Sequence, residues 1–143
     1  SDIDPVSVDV TADNARVNNV PCGVAQGQLA LCAVEGTAHP LIVSRAPYDL
    51  VTANILAGPL IELAPSIAQI MDEGGALILA GLLNTQAEAV LRAYRRHGFR
   101  LQKRVDCGDW PCLWLVKRRV YGWKRPVRAN GRTSQPPGDF GTW

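Results

Sequence analysis

The stretch DLVTANILAGPLIELAP, Asp49–Pro65, decides the fold. The run YDLVTAN, 48–54, is short and apolar enough for a buried strand, and the chain then turns helical through Gly58 and Pro59. Leu60, Leu63, Ala64, Ile67 and Met71 follow at i, i+3, i+4, i+7 and i+11, one apolar stripe on a helix. Pro65 falls inside it, and a proline ring clashes with the carbonyl four residues back, so a kink or two short helical pieces are expected. Asn54 is a polar residue at the strand-to-helix junction. Open α/β sheets bind their ligands at such junctions, beyond the carboxyl ends of the strands.

Outward from this unit the same alternation continues. PVSVDVTADNARVNN, 5–19, predicts a helix opened by Pro5 and capped by Asp4, with Val6, Val10 and Val17 near one face and a stop at Asn18–Asn19. QLALCAV, 28–34, reads as a short buried strand. After the central helix, EGG at 73–75 reads as its stop, and ALILAGLL, 76–83, is apolar on both faces, as a parallel strand covered by helices should be. Thr85 and Glu88 form a T-x-x-E capping box before a helix with Ala87, Val90, Leu91 and Tyr94 on one face, ended by Gly98. FRLQKRVD, 99–106, and CLWLVKR, 112–118, predict an antiparallel hairpin, since a parallel crossover needs about a dozen residues or more. Trp110 and Trp114 are expected to pack within or beside it. The whole is an α/β three-layer pattern.

Composition sets the outer limits. With 143 residues, 47% of them hydrophobic, the chain suits one domain with a core of its own. It holds no apolar run of about 18 residues and no basic-then-apolar leader, so a soluble, cytoplasmic chain with no membrane partner is expected. Cys22, Cys32, Cys107 and Cys112 make no C-x-x-C pair and no zinc-like spacing with histidine, which favours reduced thiols and no metal. His39 and His97 have no nucleophile in a recognisable arrangement and read as surface residues. The net charge of +2 divides into −4 over residues 1–116 and +6 from Lys117 onward. The tail 120–143 has three prolines, four glycines and no periodicity, and is expected to be disordered; its charge is either simply solvated or touches nucleic acid or an acidic partner.

Four segments in order, SDIDPVSVDVTADNARVNN, DLVTANILAGPLIELAP, GGALILAGLLNTQAEAVLRAY and GDWPCLWLVKRR, resemble the catalytic domain of the PrmA family of ribosomal protein methyltransferases. The resemblance covers residues 1–119, and ANILAGPL is its most specific piece. It implies a class I, Rossmann-like fold that uses S-adenosylmethionine, yields S-adenosylhomocysteine, and transfers the methyl group to amines of a ribosomal protein. By resemblance Asp2 is the acid that ends the second strand and binds the ribose hydroxyls, a task for which a two-oxygen acceptor is suited. Ile3 then lies against the adenine. Asn54 matches the asparagine beside the methyl donor, where its amide oxygen accepts from the substrate N–H; the plainer alternative is that it satisfies backbone groups at a strand end. Glu35, in the loosely matching VEGTAHP, stays outside this set.

The family's glycine-rich cofactor loop and its substrate-recruiting N-terminal domain have no counterpart in this sequence, which therefore resembles the C-terminal portion of the enzyme. The expected organisation is a partial methyltransferase domain over 1–119 followed by the 120–143 tail. In the usual sheet of this fold a central strand would lie beside 48–54, so an exposed edge is expected, and a homodimer through that edge is one outcome. The leading functional reading is a truncated protein N-methyltransferase with impaired activity. The rival is a non-catalytic α/β binding module whose basic tail engages RNA or a ribosomal partner.

Overall fold

The structure of the protein, a computed structural model, describes residues 1–119; the tail 120–143 and the disorder expected of it lie outside the described residues. The elements in chain order are α1 (Pro5–Val17), α2 (Pro40–Val43), β1 (Tyr48–Asn54), α3 (Ala57–Ile70), β2 (Met71–Ala80), α4 (Ala87–Arg96), β3 (Phe99–Cys107) and β4 (Trp110–Lys117). The four strands form one mixed sheet in the order β1-β2-β4-β3, with β1 parallel to β2 and the other pairs antiparallel. The C-terminal hairpin is thus as the short Gly108 connection required.

One face of this sheet carries the core. Leu77 and Leu79 of β2 and Leu113 and Leu115 of β4 point the same way and are fully buried. They meet Leu60, Ala64 and Ile67 of α3 and Ala87, Val90, Leu91 and Tyr94 of α4 in a single cluster. The helical stripe read from the sequence is therefore the packed one, except that Met71 is buried as the first residue of β2. The Tyr94 ring packs edge-on against Phe99, with centroids 5.5 Å apart at 79°. Its hydroxyl is buried without a hydrogen-bond partner among the described residues, and burial pushes the phenol well above its ordinary pKa.

Several local expectations need correction. Pro65 does not divide α3, which runs as one helix of 14 residues. Its far end is held from outside: the Lys117 ammonium donates to the Ala68 and Met71 carbonyls, both at 2.7 Å, the groups that a helix terminus leaves unpaired. EGG is not the stop, because the helix ends at Ile70 and residues 72–75 belong to β2. There the register jumps from Tyr48–Met71 to Leu50–Ala76, an irregularity that absorbs the glycines. Thr85 caps nothing. The chain enters α4 through a 3₁₀ turn, Asn84–Gln86, where the Leu83 N–H donates to Gln86 Oε1 at 2.9 Å. Glu88 instead pairs with Arg95 at 2.8 Å.

The segment 28–34 is not a strand of the sheet. It is extended, but its pairing is limited to isolated bridges, Asp2 with Ala33 and Cys22 with Leu29, since no longer strand among the described residues lies beside it. Helix α1 has the expected Asp4 cap and stops at Asn18, with Asn19 left-handed at φ 56°. It buries only Ala15, however, and Val6, Val10 and Val17 are exposed. The second face of the sheet is correspondingly open: Leu50 is 53% and Trp114 42% exposed, and Trp110 at the hairpin turn is 55% exposed.

Candidate active site

Asn54 is the last residue of β1, and the backbone is held there by its parallel neighbour. Asn54 is in register with Ala80, and the Ile55 N–H donates to the Ala80 carbonyl at 3.3 Å. The next residue of the β2 end, Gly81, presses on this turn from the other side. A Cβ at Gly81 would lie 2.7 Å from the Ile55 oxygen, 2.8 Å from the Ile55 nitrogen and 2.9 Å from Asn54 Oδ1, and its φ of +82° is one that L side chains rarely adopt. Glycine is thus required for the Asn54–Ile55 turn to sit where it does. The 76–83 run predicts Gly81 inside a strand, but β2 ends at Ala80 and Gly81 lies at the turn. A lone glycine in such a run is the signal that marks close backbone approach.

The Asn54 side chain is exposed and takes part in no hydrogen bond among the described residues. An exposed amide at a strand end, with both its oxygen and its two N–H donors unused, is able to meet a polar group arriving from solvent.

Asp2 and Ile3 lie on the wall of a cavity of about 820 Å³ that also reaches Ala53, Ile55 and Leu56, the residues flanking Asn54. Asn54 itself does not line it. Asp2 is fixed by its backbone, donating to the Cys32 carbonyl at 3.4 Å and accepting from the Val34 N–H at 2.8 Å. Its Oδ1 accepts the Asp4 N–H at 2.9 Å, which aims the carboxylate and leaves Oδ2 without a partner among the described residues. Asp4 works for the helix instead, its Oδ1 accepting the Val6 N–H at 2.9 Å. Ile3 is 67% exposed, an apolar surface beside the carboxylate. The Asp2–Ala33 bridge also brings Glu35 to the same cavity, two residues beyond the bridged position. The loose VEGTAHP motif does not place Glu35 there; the long-range Asp2–Ala33 bridge does.

The histidines are elsewhere. His39 Nδ1 accepts the Leu41 N–H at 3.2 Å at the start of α2, and His97 is the exposed C-cap of α4; neither lines the cavity. All four cysteines are unpaired, and the described residues contain no group of three or more His, Cys, Asp or Glu arranged for a metal. No helix among them is long and apolar enough to cross a membrane.

A family model described as ribosomal protein L11 methyltransferase (PrmA) matches residues 1–118. The chain belongs to the PrmA family. Among its relatives, the ribosomal protein L11 methyltransferase of Brucella abortus (strain S19) is 45% identical over 116 residues, which are 81% of this chain and 39% of that protein. The protein of the same name from Mesorhizobium japonicum is 44% identical over 115 residues, 80% of this chain and 38% of its own length. The chain therefore spans about two fifths of the length of these relatives. Among solved structures, a ribosomal protein L11 methylase from Lactobacillus delbrueckii subsp. bulgaricus superposes with a TM-score of 0.71 at 24% identity, covering 82% of this chain and 56% of that one. A methyltransferase from Pyrococcus furiosus gives 0.55 at 16% identity, covering 82% and 60%. These likenesses show the fold of this chain as a partial α/β methyltransferase fold.

Proposed function

We infer that this PrmA-family chain supplies the ribose-side and substrate-side residues of an S-adenosylmethionine-dependent protein N-methyltransferase whose substrate is a ribosomal protein. The observation that carries the reading is the pairing of two unused polar groups around one cavity: the Oδ2 of Asp2 on its wall and the exposed Asn54 amide beside its Ala53–Leu56 rim. S-adenosylmethionine supplies the methyl group when bound.

The residues present fit one half of that group. Asp2 would accept from the ribose hydroxyls, because an ionised carboxylate has two oxygens and only one is engaged internally. Ile3 offers an apolar surface for the adenine, and Glu35 is an acceptor on the same wall. For the methionine half, no glycine-rich turn after a strand borders the Asp2 side of the cavity among the described residues. S-adenosylhomocysteine as product would share the Asp2 contacts.

At the substrate end, Asn54 Oδ1 would accept a hydrogen bond from an amine N–H and point the nitrogen lone pair along the line of attack. An amine is nucleophilic only when neutral, so the amide's service is orientation, and positioning alone can account for several kcal/mol of barrier, roughly 7–11 at best. Asn54 is then the catalytic residue, and Gly81 positions it.

Calorimetric titration with S-adenosylhomocysteine tests the cofactor side, with Asp2→Ala in parallel. The substitution is expected to weaken binding by about 1–3 kcal/mol, the usual cost of a lost charge-assisted hydrogen bond. If neither the chain alone nor the chain supplemented with the unmatched part of the B. abortus relative takes up ligand at millimolar concentration, the reading fails.

A further inference from the structure

A second cavity, of about 680 Å³, is bordered by Gly74, Arg100, Val116, Lys117, Arg118 and Arg119. It shares no residue with the cavity at Asp2. Gly74 lies near the start of β2 and Ala80, in register with Asn54, ends it, so the strand between them holds the two places about 20 Å apart. Strand geometry gathers the arginines. Arg100 of β3 is the cross-strand partner of Val116 in β4. Side chains alternate along a strand, so Arg118, two residues beyond Val116, falls on the same side, and its N–H prolongs the ladder by donating to the Gly98 carbonyl at 2.8 Å. Lys117, between them, is turned away and spends its ammonium on the α3 carbonyls. Arg119 closes the cavity over β2: its guanidinium lies against Gly74, where a Cβ would meet Nε at 3.0 Å and Nη2 at 3.4 Å.

The guanidinium groups of Arg100, Arg118 and Arg119 have no hydrogen-bond or ion-pair partner among the described residues. Other arginines do: Arg16 pairs with Asp13, Arg95 with Glu88 and Arg104 with Asp106, and Arg45 donates to the Val24 carbonyl. Asp72 and Glu73, next to Gly74 in the sequence, do not border the cavity. Gathered positive charges repel one another, and a bound anion replaces that repulsion by attraction. A guanidinium is a planar fork of donors that meets phosphate oxygens two at a time. One water takes about 30 Å³ of liquid, so the space admits a run of linked groups and not only a single ion. From Arg119 the sequence continues as VYGWKRPVRANGR, residues 120–132, in which Tyr121 and Trp123 stand beside Lys124, Arg125, Arg128 and Arg132. Aromatic rings among basic residues are what single-stranded nucleic acid is held by, the rings stacking on bases while the cations follow the backbone. An acidic polypeptide would call for the cations alone.

We propose that Arg100, Arg118 and Arg119 form a site for the phosphodiester backbone of single-stranded RNA, on the folded domain and at the end of the sheet away from Asn54. Each arginine takes one phosphate, and Gly74 and Val116 form the floor between them. The contacts are to backbone and not to base edges, so binding is tolerant of sequence and falls steeply with salt. This site does not depend on the reading of Asp2 and Asn54, with which it shares neither residues nor chemistry.

The test is fluorescence anisotropy of a labelled oligouridylate with the full 143-residue chain, titrated over a range of salt concentrations. A Kd on the order of 10⁻⁴–10⁻⁶ M is expected. A single-strand slope of about −0.7 per contacted phosphate makes each contact worth roughly fivefold at about 0.1 M salt. The triple variant Arg100→Gln/Arg118→Gln/Arg119→Gln should therefore bind about a hundredfold more weakly, with a salt slope shallower by about 2. All three side chains are exposed and without partners among the described residues, so the variant folds, and unchanged far-ultraviolet dichroism verifies it. Arg92→Gln, an exposed arginine of α4 outside the cavity, should change affinity less than twofold. A second variant of the full chain, Lys124→Gln/Arg125→Gln/Arg128→Gln/Arg132→Gln, should keep a slope of about −2, the share of the three arginines. Loss of binding in that variant with none in the triple variant overturns the proposal in favour of the tail. Adenosine triphosphate that binds where oligouridylate does not overturns it in favour of a free nucleotide. Polyglutamate that binds as tightly as the RNA overturns it in favour of an acidic polypeptide, and absence of RNA binding overturns it outright.

Discussion

Gly81→Ala is the substitution that joins fold and site most directly, and Gly98→Ala is its internal control. The two glycines have nearly the same backbone, φ +82° and +85°, but a Cβ at Gly98 meets nothing within 4 Å, whereas one at Gly81 falls 2.7–2.9 Å from the Asn54–Ile55 turn. The left-handed conformation alone costs an L residue about 1–2 kcal/mol, which both variants lose. Gly81→Ala must also push a backbone oxygen and nitrogen aside, and overpacking of this kind costs about 1–3 kcal/mol more. The expected losses are therefore about 1–2 kcal/mol for Gly98→Ala and about 2–5 for Gly81→Ala. Urea unfolding followed by tryptophan fluorescence reads the difference. With a slope of about 1.5 kcal/mol per molar urea, the two midpoints should differ by roughly 1 M. An excluded osmolyte such as trimethylamine N-oxide keeps the weaker variant folded for the measurement. The side-chain amide resonance of Asn54 should move in Gly81→Ala and stay in place in Gly98→Ala. Equal losses of stability, or an unmoved Asn54 resonance, would refute the claim that Gly81 positions the site.

Three further substitutions probe separate parts of the molecule. Asn54→Ala should lower methyl transfer in the complemented protein at least tenfold while S-adenosylhomocysteine affinity changes less than twofold, the signature of a group that orients substrate, roughly the loss of one hydrogen bond to the reacting amine. Equal losses in both would make Asn54 a structural residue. Lys117→Met keeps most of the apolar stem but leaves the Ala68 and Met71 carbonyls without their donor, so stability should fall by about 2 kcal/mol in urea unfolding; a change under about 0.5 would mean water replaces the ammonium at no cost. Tyr94→Phe removes the hydroxyl buried without a partner and keeps the edge-on contact with Phe99. Stability should rise by up to about 1 kcal/mol, because a buried unsatisfied hydroxyl is costly, and a clear loss would point to a hydrogen bond made through water.

Much of this fold can be read in periodicity. The Leu60–Ala64–Ile67 stripe and the Ala87–Val90–Leu91–Tyr94 stripe both end in the core, because helical spacing puts those side chains on one face whatever the helices pack against. The Phe99–Lys117 hairpin follows from a connection too short for anything else. Failures cluster where two local signals compete. At residues 72–75 the glycines served a strand irregularity and not a helix stop, and at Thr85 a formal capping box lost to the Leu83–Gln86 hydrogen bond. Of the candidate site, Asp2, Ile3 and Asn54 are proposed from motif resemblance. Glu35 and Gly81 are not, since each is placed by contacts distant in sequence: Glu35 by the Asp2–Ala33 bridge two residues before it, and Gly81 by its close approach to the Asn54 turn.

The amino-acid sequence alone determines the helical stripes of α3 and α4, that β3 and β4 are antiparallel, and which family the motifs resemble, because those properties depend on neighbours a few residues away. Only tertiary structure decides that one face of the sheet is open and that Asp2 and Glu35 share a wall with the rim of the Asn54 turn. Those facts depend on pairing between segments tens of residues apart. Whether an apolar residue such as Leu50 or Trp114 is core or surface is settled by what lies across from it, and no local pattern contains that partner.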